Sequence, residues 1–247
     1  MRLVTTDAIV LRSYNLAESD RIVVFLTRSS GLVRAVAKGA RKMKSRFGAA
    51  LEPFTLVKLS FHERENRDLV SLSGAEILKS HFNLSSSLET AEVLAYMGEL
   101  VAEFAPPHET DERLFRMLTA CVEALAEFSG SERTLTRYFE IWLLRLAGLF
   151  PDFRSCGACG ITIQSTAVAA VDVELRVFCG NCAPLNASAL TPEVIKMVRA
   201  THHLSPANFV TQHVLTDKQY AEIGDLTHRL ITRAIERRPR TLVASTR

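Results

Sequence analysis

The 247-residue chain lacks the features of several protein classes. No apolar run approaches the ~20 residues that a membrane-spanning helix needs. Residues 1–7 already contain an acid and are not followed by the roughly 7–15-residue apolar block of a secretory signal peptide. There is no low-complexity tract and no internal repeat. The sequence therefore predicts a cytoplasmic globular protein with no membrane partner.

Catalytic motifs are also missing. The G-x-S-x-G, H-E-x-x-H and Walker patterns do not occur, and Met43 stands where a phosphate-binding loop needs glycine before its lysine. His202 and His203 are adjacent and do not share one helix face, which favours surface or capping positions for both. No catalytic residue is predicted, and we expect a protein that is not an enzyme.

Charge is unevenly distributed along the chain, although the formal net charge is only +3. Residues 1–80 contain 14 Lys and Arg against 8 Asp and Glu, whereas residues 81–150 contain 5 against 11. Residues 151–247 are again mildly basic. A basic first third followed by an acidic middle indicates two units with different partners.

Short β-branched apolar runs separated by polar, turn-like residues mark the first eighty residues. Five such runs occur, at residues 8–11, 22–26, 32–36, 54–61 and 69–72. Five short strands in a domain of this size predict an OB-fold, the five-stranded barrel that often binds nucleic acid. An SH3-like barrel and a small β-sandwich are the alternatives. The predicted OB-fold nucleic-acid-binding domain covers residues 1–82.

From about residue 84 the apolar pattern changes to the period of helices. Ser86 begins a candidate capping box, and further helices are predicted to begin after Thr191 and Thr216. The predicted fold class is therefore α+β with two domains. The OB-fold barrel comes first, and an all-helical domain follows over residues 83–247, with an insertion at about residues 154–184.

The insertion contains four of the chain's five cysteines. Their spacing is C-x2-C-x19-C-x2-C, within the range of zinc sites, and they are Cys156, Cys159, Cys179 and Cys182. Two thiolates on each of two tight turns complete a tetrahedron and leave no open position, so the predicted cofactor is one structural Zn²⁺. A thioredoxin-like redox pair and a chance arrangement are the alternatives. Cys121, on an apolar helix face, is predicted to be a core residue.

A basic segment connects the third and fourth predicted strands and places five cations in nine positions. With one cation of the third strand, these are the candidate nucleic-acid-binding residues: Arg34, Lys38, Arg41, Lys42, Lys44 and Arg46. The phosphates of a polynucleotide relieve the repulsion within such a cluster, whatever their sequence. The alternative is a solvated loop. Phe47 is interpreted as either a base-stacking or a core residue, and Arg229, Arg233 and Arg237 form a weaker candidate ridge on the last helix.

The order of these features resembles that of the RecO family of bacterial DNA repair and recombination mediators, over essentially the whole chain. The motifs that carry the resemblance are DAIVL at residues 7–11, ESDR at 18–21, KGAR at 38–41 and the tract FEIWLLRLAGLFP at 139–151, immediately before the cysteines. The resemblance implies binding of single- and double-stranded DNA, annealing of complementary strands and assistance to RecA. It also implies RecR as a partner, RecF in some members, and contact with the acidic C-terminal tail of single-stranded-DNA-binding protein, which requires a local basic pocket.

The implied function needs no bond chemistry, because cations would hold two phosphate backbones together and base pairing would supply the free energy of annealing. A location at the nucleoid within the cytoplasm follows from it. Two other classes of function fit the same residues. One is a protein–protein adaptor in which the basic segment is incidental, and the other is a zinc-ribbon transcription regulator that reads duplex sequence.

Overall fold

The computed structural model describes residues 2–63, 69–106, 109–164 and 167–241. Its strands are β1 (Arg2–Leu16), β2 (Asp20–Thr27), β3 (Gly31–Ala37), β4 (Leu56–Glu63), β5 (Leu69–Lys79), β6 (Ala169–Val171), β7 (Val177–Cys179) and β8 (Ser188–Leu190). Its helices are α1 (Leu88–Phe104), α2 (Glu112–Glu127), α3 (Glu132–Leu146), α4 (Pro192–Ala200), α5 (Pro206–Gln212) and α6 (Asp217–Ala234), with 3-10 turns at Gly48–Leu51 and Phe82–Ser86. The first compact unit consists of Met1–Glu127 and the segment that begins at Pro239, and the second is built on Phe128–Arg238.

The first five strands close into a barrel in the order β1-β2-β3-β5-β4. Neighbouring strands are antiparallel except β3 and β5, which run parallel with Arg34 opposite Leu69. β1 is long enough to pair with β4 through its first half and with β2 through its second. A five-stranded barrel followed by helices confirms the predicted OB-fold and α+β class.

Alternating side chains fill the barrel. Along β3, Val33, Ala35 and Ala37 point inward and are buried, whereas Arg34 lies exposed between them. Phe47, from the connection between β3 and β4, joins this core with only 3% of its surface exposed. Of the two interpretations of Phe47, the core residue is therefore the correct one.

α1 packs against β1 within the first unit. It begins after Ser87, whose hydroxyl accepts a hydrogen bond from the backbone N–H of Thr90, so the capping residue is one position later than the predicted Ser86. Ser86 belongs to a 3-10 turn and donates to the carbonyl of Asn83 instead. Contacts within the chain group α1 and α2 with the barrel in the first compact unit. The predicted boundary between residues 82 and 83 instead marks the change from strands to helices along the sequence.

The second unit combines α3 to α6 with a three-stranded antiparallel sheet in the order β7-β6-β8. α3 packs along α6, and the buried hydroxyl of Thr227 donates to the Glu140 carboxylate across them. α4 and α6 begin after Thr191 and Thr216, as predicted. Over the described ranges, no helix combines the length and apolarity needed to cross a membrane.

Candidate metal centre and nucleic-acid interface

The fold of the second unit brings four thiols together. The sulfur atoms of Cys156, Cys159, Cys179 and Cys182 all lie within 4.8 Å of one another, and 3.9 Å separates those of Cys159 and Cys179. Zinc–sulfur bonds of about 2.3 Å in a tetrahedron would place the sulfur atoms about 3.8 Å apart. The four side chains therefore have the spacing of a complete set of ligands for one metal ion.

The first pair of cysteines lies on a tight turn. The backbone N–H of Cys156 donates to the carbonyl of Ile161 at 2.9 Å, and a β-bridge joins Ser155 to Thr162 at the base of the turn. Gly160 closes the turn with a φ of 71°, a left-handed conformation that glycine adopts without strain. The turn therefore holds the first two thiols on the same side.

The second pair begins where β7 ends. Cys179 is the last residue of this strand, and its carbonyl accepts a hydrogen bond from the N–H of Cys182 at 3.0 Å. Gly157 of the first turn donates its N–H to the carbonyl of Val177 at 2.7 Å. This bond ties the two turns together, so the four-thiol geometry is built into the backbone.

Hydrogen bonds also shift the pKa values of the thiols. The backbone N–H groups of Cys159, Cys179 and Ala158 lower the pKa of Cys156 to about 6, because they stabilise its thiolate. Hydrogen bonds to the neighbouring cysteines raise the pKa of Cys182 to about 12. Cys121 is different: it is fully buried on α2, and burial raises the pKa of its thiol. The N–H donors around Cys156 favour its thiolate, which is the form of cysteine that binds a metal ion.

The basic segment lies between β3 and β4 on the barrel. All six candidate DNA-binding side chains are exposed: Arg34, Lys38, Arg41, Lys42, Lys44 and Arg46. Across the part of the chain that the structure describes, none of the six forms an ion pair with a carboxylate. The segment therefore presents positive charge that no ion pair compensates.

Hydrogen bonds anchor this segment to the turn between β1 and β2. Gly39 donates its N–H to the Asp20 carboxylate at 2.8 Å, and the N–H of Arg41 donates to the carbonyl of Ser19 at 2.9 Å. The bond from Gly39 is the main reason that the pKa of Asp20 is lowered, with smaller contributions from Ser19 and from the charges of Lys38 and Lys42. The loop is thus fixed at one end of the barrel.

The predicted ridge does not lie wholly on the last helix: Arg229 and Arg233 belong to α6, whereas Arg237 lies beyond its last residue, Ala234. The Arg229 Nε donates to the carbonyl of Asp225 at 3.1 Å, and Arg233 donates to the carbonyl of Val173 at 3.4 Å. Arg237 donates to the carbonyl of Arg238 at 3.0 Å. Of these three bonds, only that of Arg233 reaches another segment of its unit, the connection between β6 and β7. Contact of these arginines with DNA stays a prediction.

A pocket of about 560 Å³ lies in the second unit, and the sequence did not predict which residues line it. Its lining combines basic and apolar side chains, namely Arg145, Phe150, Pro151, Asp152, Phe153, Arg154, Val198, Arg199, His202 and His203. Arg145 and Arg199 donate to backbone carbonyls of Val198 and Phe153, which holds both guanidinium groups in place. Burial, followed by the charge of Arg145, lowers the pKa of His202. The adjacent histidines and the tract at residues 139–151 stand out in the sequence, but nothing in the sequence shows that they line one pocket.

Comparison with known proteins covers both units. The family model described as "Recombination protein O N terminal" matches residues 1–81, and "Recombination protein O C terminal" matches residues 85–242. The DNA repair protein RecO of Koribacter versatilis (strain Ellin345) is 34% identical over 188 residues, 76% of each chain. That of Anaeromyxobacter dehalogenans (strain 2CP-C) is 36% identical over 184 residues, 74% of this chain and 72% of the relative. That of Geobacter metallireducens (strain ATCC 53774 / DSM 7210 / GS-15) is 36% identical over 190 residues, 76% of each.

The matches confirm the predicted resemblance and indicate a role in DNA repair and recombination. They extend from the barrel through the four-cysteine region into α6. The chain belongs to the RecO family of DNA repair proteins.

Proposed function

We propose that this protein is a non-enzymatic recombination mediator that binds single- and double-stranded DNA, promotes strand annealing and assists RecA loading. The observation that carries the proposal is the set of exposed cations on a loop fixed to the barrel, with no carboxylate paired to them among the described residues. Phosphates bound there would release their counterions, which favours binding.

Annealing brings two polyanions side by side, and the loop cations reduce the repulsion between them. Contacts to phosphates carry no sequence information, so complementary strands of any sequence are accepted. Base pairing then supplies the free energy of the reaction. No covalent bond is made or broken, and the proposed function therefore needs no catalytic group.

Within this function, RecR is the proposed direct partner, with RecF and RecA acting further along the same repair process. A role on chromosomal DNA supports the expected location at the nucleoid in the cytoplasm. For the pocket lined by Arg154 and His203 we propose the acidic C-terminal tail of single-stranded-DNA-binding protein. Its arginines suit carboxylates, with Arg154 already paired to Asp152 of the same pocket at 2.7 Å, and Phe150 and Phe153 offer apolar surface for the tail's uncharged side chains.

The metal that we assign to the four thiols is Zn²⁺. A set of four sulfur ligands suits zinc and leaves no position for a substrate, so the ion would supply structure and no reaction chemistry. Cys156 and Cys159 would hold it from the first turn, and Cys179 and Cys182 from the second. The site would therefore fix the ribbon of β6 to β8 within the second unit.

A titration of the full-length protein with labelled oligonucleotides over a series of salt concentrations tests DNA binding. If about five phosphates are neutralised on a single strand, a plot of the logarithm of the association constant against the logarithm of the salt concentration has a slope of about −3.5. We expect little preference among sequences, and faster annealing of complementary strands in a parallel assay. Absence of DNA binding would favour the protein–protein adaptor. Preference for particular duplex sequences would favour the zinc-ribbon transcription regulator.

Charge reversal locates the interface. Lys42→Glu combined with Lys44→Glu should weaken DNA binding, flatten the salt dependence and slow annealing. The matched control reverses two exposed lysines of the second unit, Lys196→Glu with Lys218→Glu, and changes the net charge equally. If both double variants lose the same affinity, net charge alone is responsible, and the assignment of the loop is wrong.

A further inference from the structure

We propose that Tyr14 is a base-contacting residue of the barrel, with Ile22 and Val36 beside it as an apolar platform on which a nucleobase stacks. This inference rests on the proposed DNA binding. It adds a side chain that distinguishes a strand carrying bases from a bare chain of phosphates, which the cations alone do not do.

The strand pairing places these three side chains in one row. Tyr14 of β1 pairs with Ile22 of β2, and Ile22 pairs with Val36 of β3. Directly paired residues of antiparallel strands lie on the same face of a sheet. Val36 lies between the inward-facing Ala35 and Ala37, so the row is on the outer face. The Tyr14 side chain is 46% exposed there.

The neighbouring row supplies cations. Arg12 pairs with Val24 of β2, and Val24 pairs with Arg34 of β3. The guanidinium carbon of Arg12 lies 5.4 Å from the centroid of the Tyr14 ring, within the range of a cation–π contact. Arg12 covers one face of the ring, so a base would stack on the opposite face, with the charge of Arg12 behind the ring.

The basic loop reaches the same end of the barrel. The Nη1 atom of Arg41 donates to the carbonyl of Ala17 at 3.0 Å, three residues after Tyr14. Proteins that bind single strands combine such a basic surface with aromatic rings on which bases stack. Phe47 and Phe54 are the aromatic residues between β3 and β4, and both are buried. Tyr14 is an exposed ring beside Arg12, and the loop cation Arg41 contacts the chain three residues further along.

The test compares a labelled oligonucleotide with an abasic oligonucleotide of the same length, which has the same phosphates but no bases. Stacking on one aromatic side chain is worth about 1–3 kcal/mol per base, so Tyr14→Ala should weaken binding of the normal strand roughly fivefold or more. Binding of the abasic strand should not change. Tyr14→Phe keeps the ring and should bind both strands as the wild type does. Leu3→Ala removes another exposed apolar side chain of β1 and serves as the matched control.

Two outcomes would overturn the role of Tyr14. Unchanged binding of the normal strand by Tyr14→Ala would show that no base stacks there, and an equal loss on both strands would show that the ring only supports the surface. The doubly reversed variant at Lys42 and Lys44 should lose affinity for both strands. If the wild type binds neither strand, the proposed DNA binding itself fails, so the two failures are distinguishable.

Discussion

At the scale of single residues, a fully buried carboxylate organises the second unit. Glu140 accepts hydrogen bonds from Arg137 at 2.8 and 2.7 Å and from Thr227 at 2.6 Å. Burial by itself would raise the pKa of Glu140, but the charge of Arg137 and the contacts of His228 and Thr227 outweigh it and lower the pKa to about 2. Removing one partner of such a pair leaves the other charge buried and uncompensated.

We therefore predict that Glu140→Gln lowers the free energy of unfolding by about 3–5 kcal/mol. Urea denaturation followed by the fluorescence of Trp142, the chain's one tryptophan, measures the change in this unit. The control is Asp217→Asn, which removes an ion pair to Arg133 of the same 2.7 Å length but with the Asp217 side chain 91% exposed. That change should cost at most about 1 kcal/mol. Equal losses in the two variants would contradict the role of burial.

The same carboxylate predicts how stability depends on pH. Its folded pKa of about 2 lies below the ordinary value of 4.5, so the unfolded chain binds this proton more readily. The stabilisation from Glu140 is therefore complete above pH 4.5 and is lost as the pH falls from there toward 2. Urea midpoints of the wild type and of Glu140→Gln should converge over this interval. A constant difference between them would count against the low pKa.

At the scale of elements, the proposed zinc ion should stabilise the ribbon of β6 to β8 and the two cysteine turns. Cys156→Ser removes one of four ligands, so we predict that bound zinc falls from about one ion per chain toward zero and that the melting temperature falls with it. Elemental analysis and thermal denaturation measure the two effects. Cys121→Ser is the control: it also removes a buried thiol, but Cys121 lies outside the cluster and metal content should be unchanged. A metal-free wild type of full stability would refute the assignment.

The sequence predicted those elements whose signal is local. The cysteine spacing, the five apolar runs and the caps at Thr191 and Thr216 all led to the observed elements. α5 (Pro206–Gln212) was missed, because seven residues are too few for a clear helical period. The Tyr14 row was missed for another reason: its residues come from three strands, and pairing register is a long-range property.

At the scale of the whole molecule, the charge count needs correction for burial. The acidic middle of the chain contains Glu99, Glu132 and Glu140, all buried with at most 9% of their surface exposed. Glu99, for example, accepts hydrogen bonds from the backbone N–H groups of Arg240 and Thr241. These carboxylates serve internal contacts, so the sequence count overstates the acidic surface. The loop cations are all exposed, so in this segment the number of charged residues in the sequence equals the number at the surface.

The proposed surfaces for DNA and for the acidic tail lie on different units, so each should respond to its own variants. We predict that Arg154→Glu, at the rim of the pocket, weakens binding of a labelled peptide of the acidic tail and leaves the salt dependence of DNA binding unchanged. The doubly reversed variant at Lys42 and Lys44 should show the opposite behaviour. Fluorescence anisotropy with each ligand measures both affinities on the same preparations.

The two binding activities should respond independently because screened charges act over a short range. At physiological salt the field of an exposed charge decays over about 8 Å, so reversing Arg154 acts on ligands that reach the pocket and on few others. If Arg154→Glu weakens peptide and DNA alike, one basic surface binds both. If only the loop variant weakens the peptide, the tail binds at the barrel, and the pocket needs another ligand.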